Sequence, residues 1–117
     1  MQGAFKTLVQ VTQLGNAAAR LYDGGSLLYP SAKVFIGGIS LCNTDTVTRT
    51  FSIHIVPAGG SASASNARYY QATIPAKTTF DLGYLEGEFT LDTGYEVWAG
   101  ADVASVVNFS MYGLEAV

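Results

Sequence analysis

The chain has 117 residues, 49% of them hydrophobic and only 13% charged, with a formal net charge of −3 at neutral pH. That length holds one core and no second, and the scattered Lys and Arg form no basic stripe, which argues against nucleic-acid binding through phosphate neutralisation. The charged fraction is roughly half the usual quarter; because the centres of subunit interfaces are depleted in charge, the shortfall predicts an exterior partly covered by neighbours.

The N-terminal stretch Met1-Gln2-Gly3-Ala4-Phe5-Lys6 lacks the basic-then-apolar layout of a signal peptide. Ala4–Val11 and Ala18–Tyr22 are strand candidates, and Asn16–Arg20 is too short to stand as a helix. Lys33–Cys42 alternates with apolar residues on both faces: Phe35, Ile39 and Leu41 oppose Val34, Ile36 and Ser40, so its inward side stays open. Asn43-Thr44-Asp45-Thr46 carries turn chemistry, since Asn and Asp bond their own backbone. From Val47 to Ile55, Thr48, Thr50, Ser52 and His54 lie on one face, and Phe51, Ile53 and Ile55 on the face expected to meet the core. Two such runs joined by such a loop predict a β-hairpin.

Ala58–Asn66 has no large side chain and no charge. It is expected to be an exposed, mobile connection, with the alternative that its small residues lie flat against a neighbouring subunit. Ala67–Ile74 is a strand closed by Pro75, followed by Thr78–Leu82 and a short strand at Phe89–Leu91. Asp92-Thr93-Gly94 turns the chain into Tyr95–Ala99, and Gly100-Ala101-Asp102 turns it into Ser105–Leu114. No window shows a sustained helical period, and apolar runs are interrupted too often for a membrane-spanning helix. About eight short strands predict an all-β fold: one antiparallel β-sandwich over residues 1–117, immunoglobulin-like or jelly-roll-like, or else a barrel. Residues 1–11 serve it as an N-terminal arm or edge strand.

Residues suited to chemistry are few. The single histidine, His54, sits mid-strand on the polar face, expected to be solvated or at an interface, with no orienting partner evident. Cys42 has no second cysteine to pair with, fits a reducing compartment, and reads as a small buried hydrophobe, a reactive thiol being the alternative. It precedes a turn on the strand expected to pair with that of His54, which leaves proximity of the two open. Neither CxxC nor HxxH spacing is present, so no closed zinc site is expected. Glu86, Glu88 and Asp92 form an acidic turn too sparse for a dedicated calcium loop. The expected catalytic, cofactor-binding and metal residues are therefore none, and the chain is expected not to be an enzyme. Tyr22, Tyr29, Tyr69, Tyr70, Tyr84, Tyr95 and Tyr112, with Trp98, exceed what one small core requires. Tyrosine suits interfaces, and exposed Tyr with Trp98 would also stack on sugars.

The run Cys42-Asn43-Thr44, then Thr50-Phe51-Ser52-Ile53-His54-Ile55-Val56-Pro57, Gly59-Gly60-Ser61-Ala62, Asn66-Ala67 and Ile74-Pro75-Ala76, resembles a pattern in small all-β virion structural proteins of tailed bacteriophages. Tyr95–Ala99 and Val107–Gly113 agree with it, and the likeness spans residues 18 to 115. These proteins occur as head decoration (cement) proteins or tail-associated modules. The resemblance implies a mechanical role on the particle exterior after synthesis in the host cytoplasm. Partners would be further copies of the chain, commonly as a homotrimer, and the major capsid protein, with no nucleic acid and no membrane. Weak contacts repeated over a lattice add up to strong attachment, and Met1–Val11 would extend a neighbour's sheet. The alternative is a tail-fibre or baseplate-associated module that meets tail proteins or host-surface carbohydrate, with Trp98 in its platform.

Overall fold

Alternating Thr, Val, Ile, Tyr and Phe suit a pleated surface buried on one side, and strands form wherever Gly, Pro, Asn or Asp bound such a run. A computed structural model describes residues 5–24, 33–83, 90–92 and 94–116. Among them are β1 (Phe5–Gln13), β2 (Ala19–Asp23), β3 (Lys33–Asn43), β4 (Arg49–Val56), β5 (Ala67–Ile74), β6 (Thr78–Gly83), β7 (Thr90–Leu91), β8 (Glu96–Ala101) and β9 (Val107–Ala116). They make two antiparallel sheets: β1-β9-β3-β6 with β7 also on β3, and β2-β8-β4-β5.

The β-sandwich expected from the alternation is what forms. Leu41, Phe109 and Met111 of the five-stranded sheet and Phe51, Ile53 and Val97 of the four-stranded sheet are buried in one core. Phe51 meets Phe80 of the opposite sheet edge-on, ring centroids 5.7 Å apart, a geometry aromatic pairs favour. Pairing is nested along the chain: β1 with β9, β2 with β8, β3 with β6 and β7, and β4 with β5.

The hairpin expected from residues 33–42 and 47–55 does not form. β3 and β4 lie in different sheets, so Asn43–Thr46 begins a crossover between layers. The reason lies in Asn43, which is fully buried. Its Nδ2 donates to the carbonyls of Val47 (3.0 Å), Ile74 (3.0 Å) and Pro75 (3.2 Å), and its Oδ1 accepts from the Asp45 amide (2.9 Å). The turn chemistry is real, but half of it is spent on the β5–β6 corner, thirty-odd residues downstream. Beyond that turn, Arg49 binds Asp45 at 2.8 Å. Bonds from the Thr46 amide and then from Arg49 hold the Asp45 carboxyl below the usual carboxylate range.

The open question of which face of residues 33–42 points inward is answered by a bulge. The β3–β9 register shifts between Ile36 and Gly38, so one extra residue reverses the alternation. Val34 and Ile36 are buried before the shift, and Ile39 and Leu41 after it. Phe51 and Ile53 point into the core as expected, and Ile55 packs against it half-buried. Residues 5–13 form an edge strand of the chain's own sheet rather than a free arm; residues 1–4 lie outside the described part. Bulges interrupt β1 twice, β2 once and β5 twice, whereas the β6 edge keeps an unbroken register from Thr78 to Gly83.

Candidate functional site

Residues paired across neighbouring strands share a face, so the registers define both exteriors. On the five-stranded sheet, Gly38 pairs with Tyr112 and Gly83, Ser40 with Ser110 and Asp81, and Cys42 with Asn108 and Thr79. Their neighbours Ile39, Leu41, Phe109 and Met111 are buried, which leaves this set outside. Apart from Lys33, at the outward register position where β3 starts, Asp81 is the only charged residue on that face among the described residues. Tyr112, 49% exposed, lies over the two glycines of the β3 bulge. A Cβ on Gly37 or Gly38 would come within 2.6 or 2.7 Å of its ring, so the small residues make a flat seat for the aromatic side chain.

The exterior of the four-stranded sheet is built otherwise. Glu96, Trp98 and Gly100 of β8 alternate with Thr50, Ser52, His54 and Val56 of β4. Arg20 of β2 reaches Glu96 (3.5 Å) and Asp23 (3.6 Å), and Trp98 Nε1 donates to Glu96 (2.8 Å). The chain then covers part of this face itself. His54, placed outward as expected, is not solvated: it is 4% exposed, and Val56 beside it is fully buried. His54 Nδ1 lies 3.0 Å from both the Ser63 carbonyl and Asn66 Oδ1. Both partners are acceptors, because Asn66 Oδ1 also receives the Ser63 amide (3.0 Å) while its Nδ2 donates to Ser61 (2.8 Å). Nδ1 therefore carries the proton, and in the neutral ring Nε2 is left as an acceptor.

Ala58–Asn66 is exposed along most of its length, as expected, and the network adds what the sequence did not announce. It is a loop with its own internal order, ending in a 3-10 turn at Ala64–Asn66 and pinned to the sheet through His54. Its small side chains let it lie flat against its own chain: a Cβ on Gly60 would sit 3.1 Å from Val56. His54 has the orienting partner that seemed missing, Asn66, whose signal in the sequence is only an Asn closing a Ser-rich loop. Cys42 and His54 do not approach each other, because they face outward from opposite sheets.

Between the Asn16–Ala18 segment and β4 lies a cleft of about 270 Å³, whose lining includes polar Asn16, Thr50, Ser52, His54, Gln71 and Asp102 together with Ala17, Ala18 and Gly100. The Asn16–Ala18 segment crosses so close above β8 that a Cβ on Gly100 would be 2.7 Å from its backbone. Opposite Ser52, β5 bulges, with Gln71 at φ +51°. The Gln71 amide donates to Ser52 Oγ (2.9 Å) instead of to the ladder. A non-glycine residue in the left-handed region is strained and is re-aimed by the bulge. Asp102 accepts from the Thr50 amide (3.2 Å) and from Arg49 (3.4 Å).

A third polar group ties the layers together. Tyr22 of β2 donates to Glu115 of β9 (2.5 Å), which also binds Lys6 of β1 (2.5 Å). Burial, and then Glu115 itself, push the Tyr22 phenol far above its ordinary value. Burial alone would raise the Glu115 carboxyl, but the bonds from Lys6 and Tyr22 and the Lys6 charge outweigh it and hold it below the usual range.

The aromatic residues do not gather at one place. Tyr22 is in the core, Tyr69 and Tyr95 pack against it, Tyr70 (55% exposed) is on the four-stranded sheet, and Tyr112 is on the other. Trp98 is half-buried beside His54. Tyr29, Tyr84, Glu86 and Glu88 lie outside the described residues; Asp92 is exposed. Among the described residues no three His, Cys, Asp or Glu side chains stand together as a metal site, and no helix is long and apolar enough to cross a membrane. Compared with protein-family models, curated proteins and solved structures, the chain matches none.

Proposed function

We propose that this chain is a structural, non-enzymatic assembly module: a virion protein on the exterior of a tailed phage particle, most simply a capsid decoration (cement) protein. In this reading it acts as a homo-oligomer, a trimer in the first instance, that binds the major capsid protein. The observation that carries the reading is the outer face of the five-stranded sheet. Across β9, β3 and β6 it presents Asn108, Ser110, Tyr112, Gly38, Ser40, Cys42, Thr79 and Asp81, a surface of mostly small residues on which, among the described residues, Asp81 is the one charge from Gly38 onward, with Phe35 and Leu114 beyond the bulge. A flat face of this kind packs against another surface without stranding ions.

The adjoining β6 edge strengthens the case. Bulges blunt edge strands against pairing with other chains, and β1, β2 and β5 carry them while β6 does not. The contact is therefore assigned to the five-stranded face and its β6 border. The nested pairing of first strand with last supports the jelly-roll alternative over the immunoglobulin-like one.

The deciding experiment is the number of copies per purified particle: lattice-scale stoichiometry supports head decoration, a handful supports a tail location, and absence from particles sinks both. In solution, sedimentation velocity of the purified chain should show self-association that Ser110→Lys abolishes. A second reading, a tail-associated module that binds host-surface carbohydrate, is favoured by one observation, the polar cleft on the four-stranded sheet.

A further inference from the structure

We infer that the cleft between the Asn16–Ala18 segment and β4 is a binding site for one neutral sugar ring. The inference rests on the carbohydrate-binding reading and deepens it by moving the site away from Trp98, which does not line the cleft. It is independent of the assembly reading, since the cleft lies on the outer side of the four-stranded sheet, opposite the proposed contact face.

The chemistry of the lining selects the ligand. Asn16 and Gln71 offer amides that both donate and accept, and Thr50 and Ser52 offer hydroxyls. Ser52 Oγ already accepts from the Gln71 amide, which leaves its own proton to donate. His54 lines the cleft with its ring orientation fixed, because Nδ1 is held by Ser63 and Asn66 and the side chain is 4% exposed. No Lys or Arg lines the cleft, so an anion has no partner there. The one carboxylate, Asp102, is compensated by Arg49 and the Thr50 amide. Alternating donors and acceptors without net charge match vicinal hydroxyls, each of which gives and takes a hydrogen bond.

The site is also built rather than incidental. Its wall is fastened by the Leu14 amide to the Val107 carbonyl (2.8 Å), the Ala101 amide to the Gly15 carbonyl (2.9 Å) and the Ser105 amide to the Leu14 carbonyl (3.0 Å). The absence of a side chain at Gly100 lets the Ala17–Ala18 backbone seat directly on β8. The strained backbone of Gln71 sets its residue beside Ser52 at the rim. Tyr70, 55% exposed, stands edge-on to His54 with ring centroids 6.5 Å apart, and so offers an apolar surface next to the cleft. A volume of about 270 Å³ lies just under the ~300 Å³ lower bound of ordinary ligand pockets, which limits the occupant to a single ring.

The test is titration of the ¹⁵N-labelled full chain with D-glucose, D-galactose, D-mannose, N-acetyl-D-glucosamine and L-rhamnose, each as free sugar and as methyl glycoside, and with inorganic phosphate. One or more sugars should give saturable amide shifts centred on Asn16, Ser52, Gln71 and Gly100, while phosphate gives none there. Equal binding of the methyl glycoside marks the terminal residue of a glycan as the source; binding of the free sugar alone marks a free monosaccharide. Gln71→Gly, which keeps the left-handed backbone and removes the amide, and Asn16→Ala should each weaken binding about fivefold. Sugar shifts that map elsewhere and survive both substitutions overturn the cleft while leaving the carbohydrate reading standing. Absence of any saturable shift, together with a flat glycan array, removes both.

Discussion

The two exteriors of this small sandwich solve the same problem in opposite ways. On the four-stranded sheet, charged and aromatic side chains point outward; the chain lays its own loop against His54 and Val56, and Arg20 and Trp98 bond Glu96, so all three end up buried. On the five-stranded sheet the outward residues from Gly38 to Cys42 and on the strands beside them are mostly small and nearly uncharged, Phe35 and Leu114 lie beyond the bulge, and Tyr112 lies half-exposed on glycines. The low overall charge is thus not spread evenly. It is concentrated on one face, the face proposed as the contact, and part of the other face is covered from within.

A matched pair of substitutions gives the sharpest contrast. Gly100→Ala puts a methyl 2.7 Å from the backbone of Ala17 and Ala18. That backbone is tied on both sides, so the cost is expected to be about 3 kcal/mol in urea unfolding. Gly38→Ala meets first the Tyr112 ring, a side chain 49% exposed rather than tied backbone, and is expected to cost about 1 kcal/mol. Equal costs would mean that the two faces are covered alike.

Removing the pin of the inner cover comes next. Asn66→Ala leaves the Ser63 amide without its acceptor and halves the anchorage of His54. A loss of about 2 kcal/mol is expected, with faster hydrogen exchange at the Ser63 amide and no change in self-association. A shift in oligomeric state instead would place the loop in the contact between copies.

The tie between the sheets responds to acid. The Glu115 carboxyl is held below its ordinary value in the fold. Its contribution is therefore complete above the unfolded value of ~4.3 and is lost as pH falls through the lower folded value. Tyr22→Phe removes one of the bonds that lower it. The substitution should cost about 1 kcal/mol at neutral pH, Lys6 being largely exposed and screened, and should flatten the acid limb of stability against pH. An unchanged limb would mean that Lys6 alone sets the carboxyl. The smallest effect on stability is expected from Ser110→Lys, within about 0.5 kcal/mol, although it places a charge at the centre of the five-stranded face and should abolish self-association. If association persists, that face is not the contact.

Much of the fold was legible in the chain. Each predicted strand has a counterpart, from residues 4–11 in β1 to 105–114 in β9, with ends displaced by a few residues. Phe51 and Ile53 were legible as core because they lie in an unbroken stretch of alternation. Less of the candidate site was visible. Ser52 and His54 were placed correctly on the outward face, but nothing near them in sequence announces that Asn66 orients His54 or that the Asn16–Ala18 segment walls the cleft. Nor does the pattern of residues 33–42 reveal that Gly37 absorbs one residue and turns Ile39 and Leu41 inward.

Alternation, turn formers and a proline after a strand are local properties, and they alone decided that this polypeptide would be all-β and where its strands would lie. The partner of each strand was decided by contacts between distant residues, such as Asn43 with Ile74 and Pro75, which turn an apparent hairpin into a crossover between layers. The same holds for which exterior the chain covers itself. A bulge or a crossover costs little locally and is chosen by what it lets pack elsewhere, so only the assembled sandwich selects it.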